Sequence, residues 1–422
     1  MTPSVLDRGD AVPTDEDAAS GSSADLLGVA AGQAVPSRRD FQGFPCIPSL
    51  SQHPFRAMAW VVRASLGLVF LVGLLAIAAS IPFVNVFALG YLMETQGRVA
   101  RSGKFRSAFY LLPAVQRLGG ILLAVWLWLL PIRFLADTTR DSWLLAPGQT
   151  GAWLWTSSLI VTSVLLAVHM LLAIGCGGSF WRFLRPVNNA RRLRAHIRSG
   201  GYCRNANDAV CEFVTAFRLP HLFRLGLLGY AAAYVWLVIP TLLFTMLEDV
   251  TSRGQIFGFL AGCVTLTATL LWLPLLLAHV SAEARFGAIF EFARVRKLAG
   301  QTPFRWAVAT AILFACSSVP LLYTALFKIR IPPHDARWDL MVVFLLTVVP
   351  ARELIGWVYH RATQRTRSAP SWPWRVWQWT NGATLCAGVG FYVYFLNLAA
   401  TGGELGERSI WQFHSLLLPF PF

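Results

Sequence analysis

The chain has 422 residues and a net charge of +15, with 14% charged and 55% hydrophobic residues; its mean hydropathy is +0.54. A soluble domain carries about 25% charge, and several apolar runs here reach the roughly 20 residues that cross a hydrocarbon core. One soluble core cannot bury so many such runs. A nucleic-acid reading of the basic charge also gives way to a topological one, because the arginines sit at the ends of apolar segments.

Residues 1–50 form a polar, acidic tail, with Asp7, Asp10, Asp15, Glu16, Asp17 and Asp25 against a single early base, Arg8. No apolar core is present there, and disorder is the expectation. Residues 51–180 read as a first membrane unit. Its first apolar region, 58–93, is long for one span and short for two, with Pro82 and Asn85 near its middle. Proline breaks a helix and a buried amide needs partners. Either a kinked helix crosses once, or the chain turns near Pro82 and Asn85 and returns. Bases flank both ends: Arg38, Arg39, Arg56 and Arg63 before, and Arg98, Arg101, Lys104 and Arg106 after. The positive-inside rule therefore favours the return.

The stretch Ile81-Pro82-Phe83-Val84-Asn85-Val86-Phe87-Ala88-Leu89-Gly90-Tyr91, followed by Glu94, Arg98, Arg101 and Gly103, resembles an uncharacterised family of bacterial multi-pass membrane proteins whose domain has no assigned function. The resemblance covers about residues 54–120. It implies a polytopic protein of the bacterial inner membrane and supports the return. It carries over no catalytic residue, ligand or reaction.

Further spans are expected at 118–136, 153–175, 225–247, 256–280, 306–327, 339–359 and 382–400. The last five belong to a second membrane unit, 225–400. Connecting loops alternate in charge. Residues 94–117, 181–224, 281–305 and 351–375 are basic, whereas 137–151 and 248–255 carry more acid than base. This places the four basic loops in the cytoplasm. The strongest is 181–224, with nine arginines, among them Arg191, Arg192, Arg194 and Arg198, which are suited to anionic lipid headgroups.

The basic loops also hold apolar residues at helical spacing. Ala206, Ala209, Val210, Phe213, Val214 and Phe217 predict an amphipathic helix over 205–219, stopped by Pro220. Phe105, Ala108, Phe109 and Leu112 repeat the pattern before Pro113. Phe286, Ile289, Phe290 and Ala293 repeat it before Gly300 and Pro303. Helices of this kind lie in the membrane interface. Trp372, Trp374, Trp377 and Trp379 mark the headgroup layer just before the last span. Residues 401–422 form a tail at the membrane surface.

No Gly-x-Gly-x-x-Gly, Gly-x-x-x-x-Gly-Lys-Ser/Thr, His-Glu-x-x-His or Gly-x-Ser-x-Gly motif occurs, and these are the spacings that phosphate, zinc and nucleophile chemistry use. The seven cysteines are scattered and read as small buried hydrophobes. No signal pairs Cys176 with His169, so no catalytic residue, cofactor or metal site is expected. The residues that could form a polar network or line a cavity are the ionisable and amide groups in or near spans: Asn85, Glu94, Arg98, His169, His279, Glu283, Arg352 and Glu353. Most stand at span ends, where side chains reach water.

The sequence thus predicts an all-α, polytopic membrane helix bundle with about seven full spans. An N-terminal kinked helix or re-entrant hairpin and cytoplasmic interfacial helices complete it. The expected role is structural, accessory or membrane-organising, with membrane lipids as partners, a membrane protein as a further candidate partner, and no nucleic acid. The alternative is a transporter or permease for a small solute or lipid.

Overall fold

A computed structural model describes residues 54–175, 214–245, 253–327, 338–365 and 371–401, with parts of 183–211. The expected tails at 1–50 and, beyond Thr401, at 402–422 lie outside the described residues, as do Arg192, Arg198 and six of the fifteen residues of the helix expected at 205–219. Of the rest of that helix, 207, 208, 211 and 214–216 are helical. Every described helix-forming stretch is α-helical or 3-10, with no strand among the described residues. Among the described residues, seven stretches are long and apolar enough to cross a membrane: 54–80, 105–145, 150–173, 214–244, 253–283, 303–323 and 339–363. The protein is a polytopic α-helical membrane bundle.

The helices are α1 (Pro54–Ser80), α2 (Asn85–Ser102), α3 (Leu112–Leu145), α4 (Thr150–Gly175), α5 (Leu219–Phe244), α6 (Arg253–Glu283), α7 (Phe292–Gln301), α8 (Pro303–Phe327), α9 (Trp338–Thr363) and α10 (Trp372–Thr401). Six of the seven later predicted spans fall inside α3, α4, α6 and α8–α10, and the one expected at 225–247 runs past Phe244, where α5 ends. The helices overrun the predicted ends because polar residues at a terminus extend a helix past the apolar run. α3, for example, continues to Leu145 through Asp137, Arg140 and Asp141. At 34 residues it is about 51 Å long.

The first apolar region resolves into two helices. α1 is 27 residues long, about 40 Å, and enough to span alone. The chain then breaks at Pro82, whose ring stops the helix, and at Phe83, which turns with φ at +64°. The break leads into α2. Gln116 Nε2, four residues into α3, donates to the Arg63 carbonyl at 3.0 Å, and Phe70 of α1 packs against Gly119. α1 and α3 therefore run side by side from the end of the bundle where α2 finishes. α2 returns along α1, and the hairpin is the arrangement found.

α2 is the centre of the bundle. Fourteen of its 18 residues are buried, and it packs on α5, α6 and α9. Close approach comes from glycine. A Cβ at Gly90 would collide with the Leu222 carbonyl of α5, and one at Gly226 with the Val86 carbonyl of α2. Gly97 meets the Ser281 carbonyl of α6, and Gly356 of α9 abuts the Gln96 carbonyl. Helices in lipid associate through such small-residue contacts, since apolar side chains gain nothing by leaving lipid for protein. α1, α3 and α4 are the least buried spans, and much of their apolar surface faces outward.

The recurring unit predicted from the sequence appears twice, in a tighter form. Gly103 and Ala284 both end a helix in the left-handed region, with φ of +67° and +51°. Each is followed by an extended basic residue, Lys104 or Arg285, and then a five-residue 3-10 turn, Phe105–Phe109 or Phe286–Phe290. The expected amphipathic α-helices are therefore 3-10 turns at both places, and only the second leads into an amphipathic helix, α7. Ser107 and Ala288 bond back to Lys104 and Arg285 in the 3-10 pattern.

Three further expectations are corrected. Residues 94–102 belong to buried α2 and not to a cytoplasmic loop. The tryptophan cluster lies within α10 and not before it; Trp372 and Trp379 are highly exposed and Trp377 is about half exposed. Cys211 and Cys386 are exposed, while Cys263 and Cys316 are half-buried.

Candidate functional site

The polar side chains gather at the end of the bundle where α2, α6 and α9 finish and α5 begins. α2 carries them as a stripe at helical spacing, Tyr91, Glu94, Arg98 and Arg101, with Thr95 and Gln96 beside it. Glu94 is the anionic centre. Arg98 Nε lies 2.7 Å from its Oε1 and Arg101 Nη2 3.5 Å away. His221 of α5 reaches Oε2 at 3.2 Å. The Arg98 guanidinium also lies over the Tyr110 ring, 3.8 Å from its centroid. Glu94 and Arg98 are both under 10% exposed. A charge withdrawn from water must be paired and hydrogen-bonded, and here each is. Arg101 extends the link to α6, donating to the Ser281 and Ala282 carbonyls at 3.1 Å, where a cation suits the negative end of the helix dipole.

A second group joins α2 to α9. Arg352 and Gln96 exchange two bonds: Nη2 to Gln96 Oε1, and Gln96 Nε2 to the Arg352 carbonyl, both 3.3 Å. Met93 Sδ receives Arg352 Nη2 at 3.5 Å and Ser281 Oγ at 3.3 Å. Arg352 is 2% and Glu353 7% exposed, yet Arg352 Nη1 and Glu353 Oε2 have no hydrogen-bond partner.

The third group fastens the interfacial segment 284–301 to the bundle. His279 is fully buried. Its Nε2 lies 2.9 Å from Glu291 Oε2, and its Nδ1 lies 2.9 Å from the Tyr359 hydroxyl. The carboxylate accepts from Nε2, which leaves Nδ1 to accept from the tyrosine. Glu291 also binds Arg285 and Arg294, the latter at 3.2 Å. Arg294 reaches Glu283 at 3.3 Å and Arg285 reaches it at 3.5 Å. The hydrogen bond from His279, then those from Arg294 and Arg285, hold the Glu291 carboxyl below its ordinary value of 4.5. Glu291 in turn holds the Arg294 guanidinium above its own.

Six of the eight polar residues singled out from the sequence thus meet at one end: Glu94, Arg98, His279, Glu283, Arg352 and Glu353. The other two lie elsewhere. Asn85 starts α2 at its far end, buried, with Nδ2 unpartnered. His169 of α4 bonds the Phe183 carbonyl at 2.7 Å, a carbonyl that also accepts from Trp128 Nε1 at 2.9 Å. Sequence reasoning missed Gln96, His221, Glu291 and Tyr359. Glu94, Arg98 and Arg101 at i, i+4 and i+7 were a legible stripe. His221 and Tyr359 carry no local signal, because their partners are 127 and 80 residues away in sequence.

Among the described residues, no three His, Cys, Asp or Glu side chains converge to hold a metal ion. Among the cavities lined by described residues, one of about 580 Å³ lies between α8 and α10 and one of about 230 Å³ lies beside Trp236 and Trp272. None of the polar residues above lines either. No family model, curated protein or solved structure matches this chain. What the fold and the site define together is a class: a multi-pass helical membrane protein built around a polar, glycine-packed central helix.

Proposed function

We propose that this is a structural or accessory protein of the bacterial inner membrane, a member of the uncharacterised multi-pass family that 54–120 resembles, with no catalysis of its own. The observation that carries the reading is where the buried charges go. Glu94, Arg98, His279 and Arg352 bind neighbouring side chains, and the two cavities have other, largely apolar walls. Ionisable groups in a membrane interior usually serve a pathway or a relay. Here they tie α2 to α5, α6 and α9 and make a rigid inner bundle. The poorly buried α1, α3 and α4 then present apolar surface to lipid or to a membrane protein partner. The basic loops face the cytoplasm and meet anionic headgroups through Arg191, Arg192, Arg194 and Arg198.

A permease-like role is the second reading. It is favoured by the broken α1–α2 hairpin and by the unpartnered Arg352 Nη1 and Glu353 Oε2, since transporters place polar groups on discontinuous helices. Reconstitution into liposomes separates the two. The structural reading expects uptake of ions, amino acids and sugars equal to that of protein-free vesicles. Saturable uptake abolished by Arg352→Met would overturn it.

A further inference from the structure

Two arginines converge on one indole at the polar end of the bundle. The Arg305 guanidinium lies over the Trp357 ring, 5.5 Å from its centroid, and that of Arg361 lies over the same ring at 5.3 Å. The ring is itself held in place, with Phe105 of the first 3-10 turn stacked against it at 6.4 Å. Trp357 and Arg361 share a face of α9 at i, i+4 spacing, and Arg305 arrives from the start of the neighbouring α8. Two guanidinium groups that share a ring are at most about one Debye length apart, so their charges repel. Among the described residues, no carboxylate is within ion-pair distance of either. By contrast, Arg98 and Arg101 pair with Glu94, and Arg285 and Arg294 pair with Glu283 and Glu291. Glu353, one turn before Trp357, is buried and leaves Oε2 unpartnered.

A guanidinium stacked on a ring uses its face and keeps its in-plane N–H edge free. That edge matches the oxygens of a phosphate. The stacking has already ordered it, so less entropy remains to be lost on binding. Depth names the source of the phosphate. Arg305 lies in the first turn of the span 303–323 and Arg361 in the last turn of the span 339–363, where long cationic side chains reach the headgroup layer. Phe105 and, next to Arg305 in sequence, Phe304 are exposed apolar rings that suit acyl chains. Lys104, also exposed, adds a positive charge beside Phe105. Cations without an acid among them disfavour a zwitterionic headgroup, whose ammonium they repel.

We propose that Arg305 and Arg361, set on Trp357, form a binding site for the phosphate of an anionic phospholipid. The site is separate from the arginines of 181–224, and it stands whether or not the protein moves a solute.

The test is native mass spectrometry of the full-length protein released from mild detergent, titrated with phosphatidylglycerol or with phosphatidylethanolamine of the same acyl chains. Phosphatidylglycerol should bind more tightly. Arg305→Gln combined with Arg361→Gln should weaken it by about tenfold or more and leave phosphatidylethanolamine unchanged. Arg296→Gln combined with Arg365→Gln removes two exposed charges from the same end and should leave phosphatidylglycerol binding nearly unchanged. Trp357→Leu keeps both charges but removes their platform, and should weaken binding several-fold. Arg361→Gln alone, at an exposed position, serves if the first double variant fails to fold. Equal weakening by the two double variants would show a diffuse basic surface and overturn the site, as would unchanged binding in the first. Equal affinity of the unaltered protein for the two lipids would overturn the preference for an anion. Inorganic phosphate that displaces phosphatidylglycerol, where chloride at matched ionic strength does not, would assign the site to a free anion and overturn the lipid.

Discussion

His279 Nε2 stands 2.9 Å from Glu291 Oε2, joining a fully buried ring on α6 to a carboxylate that is 26% exposed. Through this bond, and through the Tyr359 hydroxyl on its other nitrogen, the imidazole ties the 3-10 turn and α7 to α6 and α9. Because Glu291 is held below its ordinary 4.5, its protonation is harder in the folded protein than in the unfolded one. The stability it adds is complete above pH 4.5 and is lost as pH falls through the lowered value. Hydrogen exchange of 286–301 after a pulse at fixed labelling pH should therefore be unchanged by incubation between pH 7 and 5 and rise below pH 4. In Glu291→Gln that acid-induced rise should be smaller and the protection at pH 7 lower.

Glu94 and Arg98 should behave as a unit. Removing one member of a buried pair strands the other, at about 3–5 kcal/mol. Glu94→Met leaves Arg98 under the protein surface without its carboxylate, and Arg98→Met leaves Glu94 to Arg101 and His221. The double variant removes both charges and should cost less than the sum of the two single changes. A double-mutant cycle on detergent-unfolding free energies reads the coupling directly. Additive losses would show that the pair is not linked.

Glycine at the axis makes a separate prediction. Gly97→Leu drives a side chain into the Ser281 carbonyl, a backbone group that cannot swing aside. Overpacking costs typically about 1–3 kcal/mol, occasionally more, and backbone contact puts this case at the upper end. Gly382→Leu, where a Cβ meets nothing within 4 Å, should leave the melting temperature of the purified protein nearly unchanged. Both substitutions also replace a helical glycine, so their difference isolates the packing.

The long apolar runs were legible in the sequence because length and hydropathy alone specify a spanning helix, and α3–α6 and α8–α10 follow them closely. α2 was not legible as the core. Its sequence, with Glu94, Thr95, Gln96, Arg98 and Arg101, has the polarity of a loop, and only tertiary burial makes it the most enclosed helix. The partners of Glu94 and His279 on other elements were equally hidden, since His221 and Tyr359 reach them through the packing of α5 and α9. The clamp at Glu291 was also missed, although its i, i+3 relation to Arg294 was visible. A carboxylate on an interfacial helix reads as a solvated charge until the buried histidine beneath it is known.

The last prediction concerns the hairpin. If α1 crosses and α2 returns, Arg56 and Lys104 lie on one side of the membrane, 48 residues apart in sequence, and the turn at Pro82–Phe83 lies deep or on the other. Single cysteines at 56, 104 and 297, in a background with the seven native cysteines replaced by serine, should all react with an impermeant maleimide from the same side of oriented vesicles. Ala146→Cys, at the end of α3, should react only from the opposite side. The bonds of Arg101 to the Ser281 and Ala282 carbonyls require 104 and 297 to agree, because they join the ends of α2 and α6. Reaction of 56 and 104 from opposite faces would mean that 54–102 crosses once. That outcome is incompatible with the contact of Arg63 and Gln116, which sets α1 beside the start of α3.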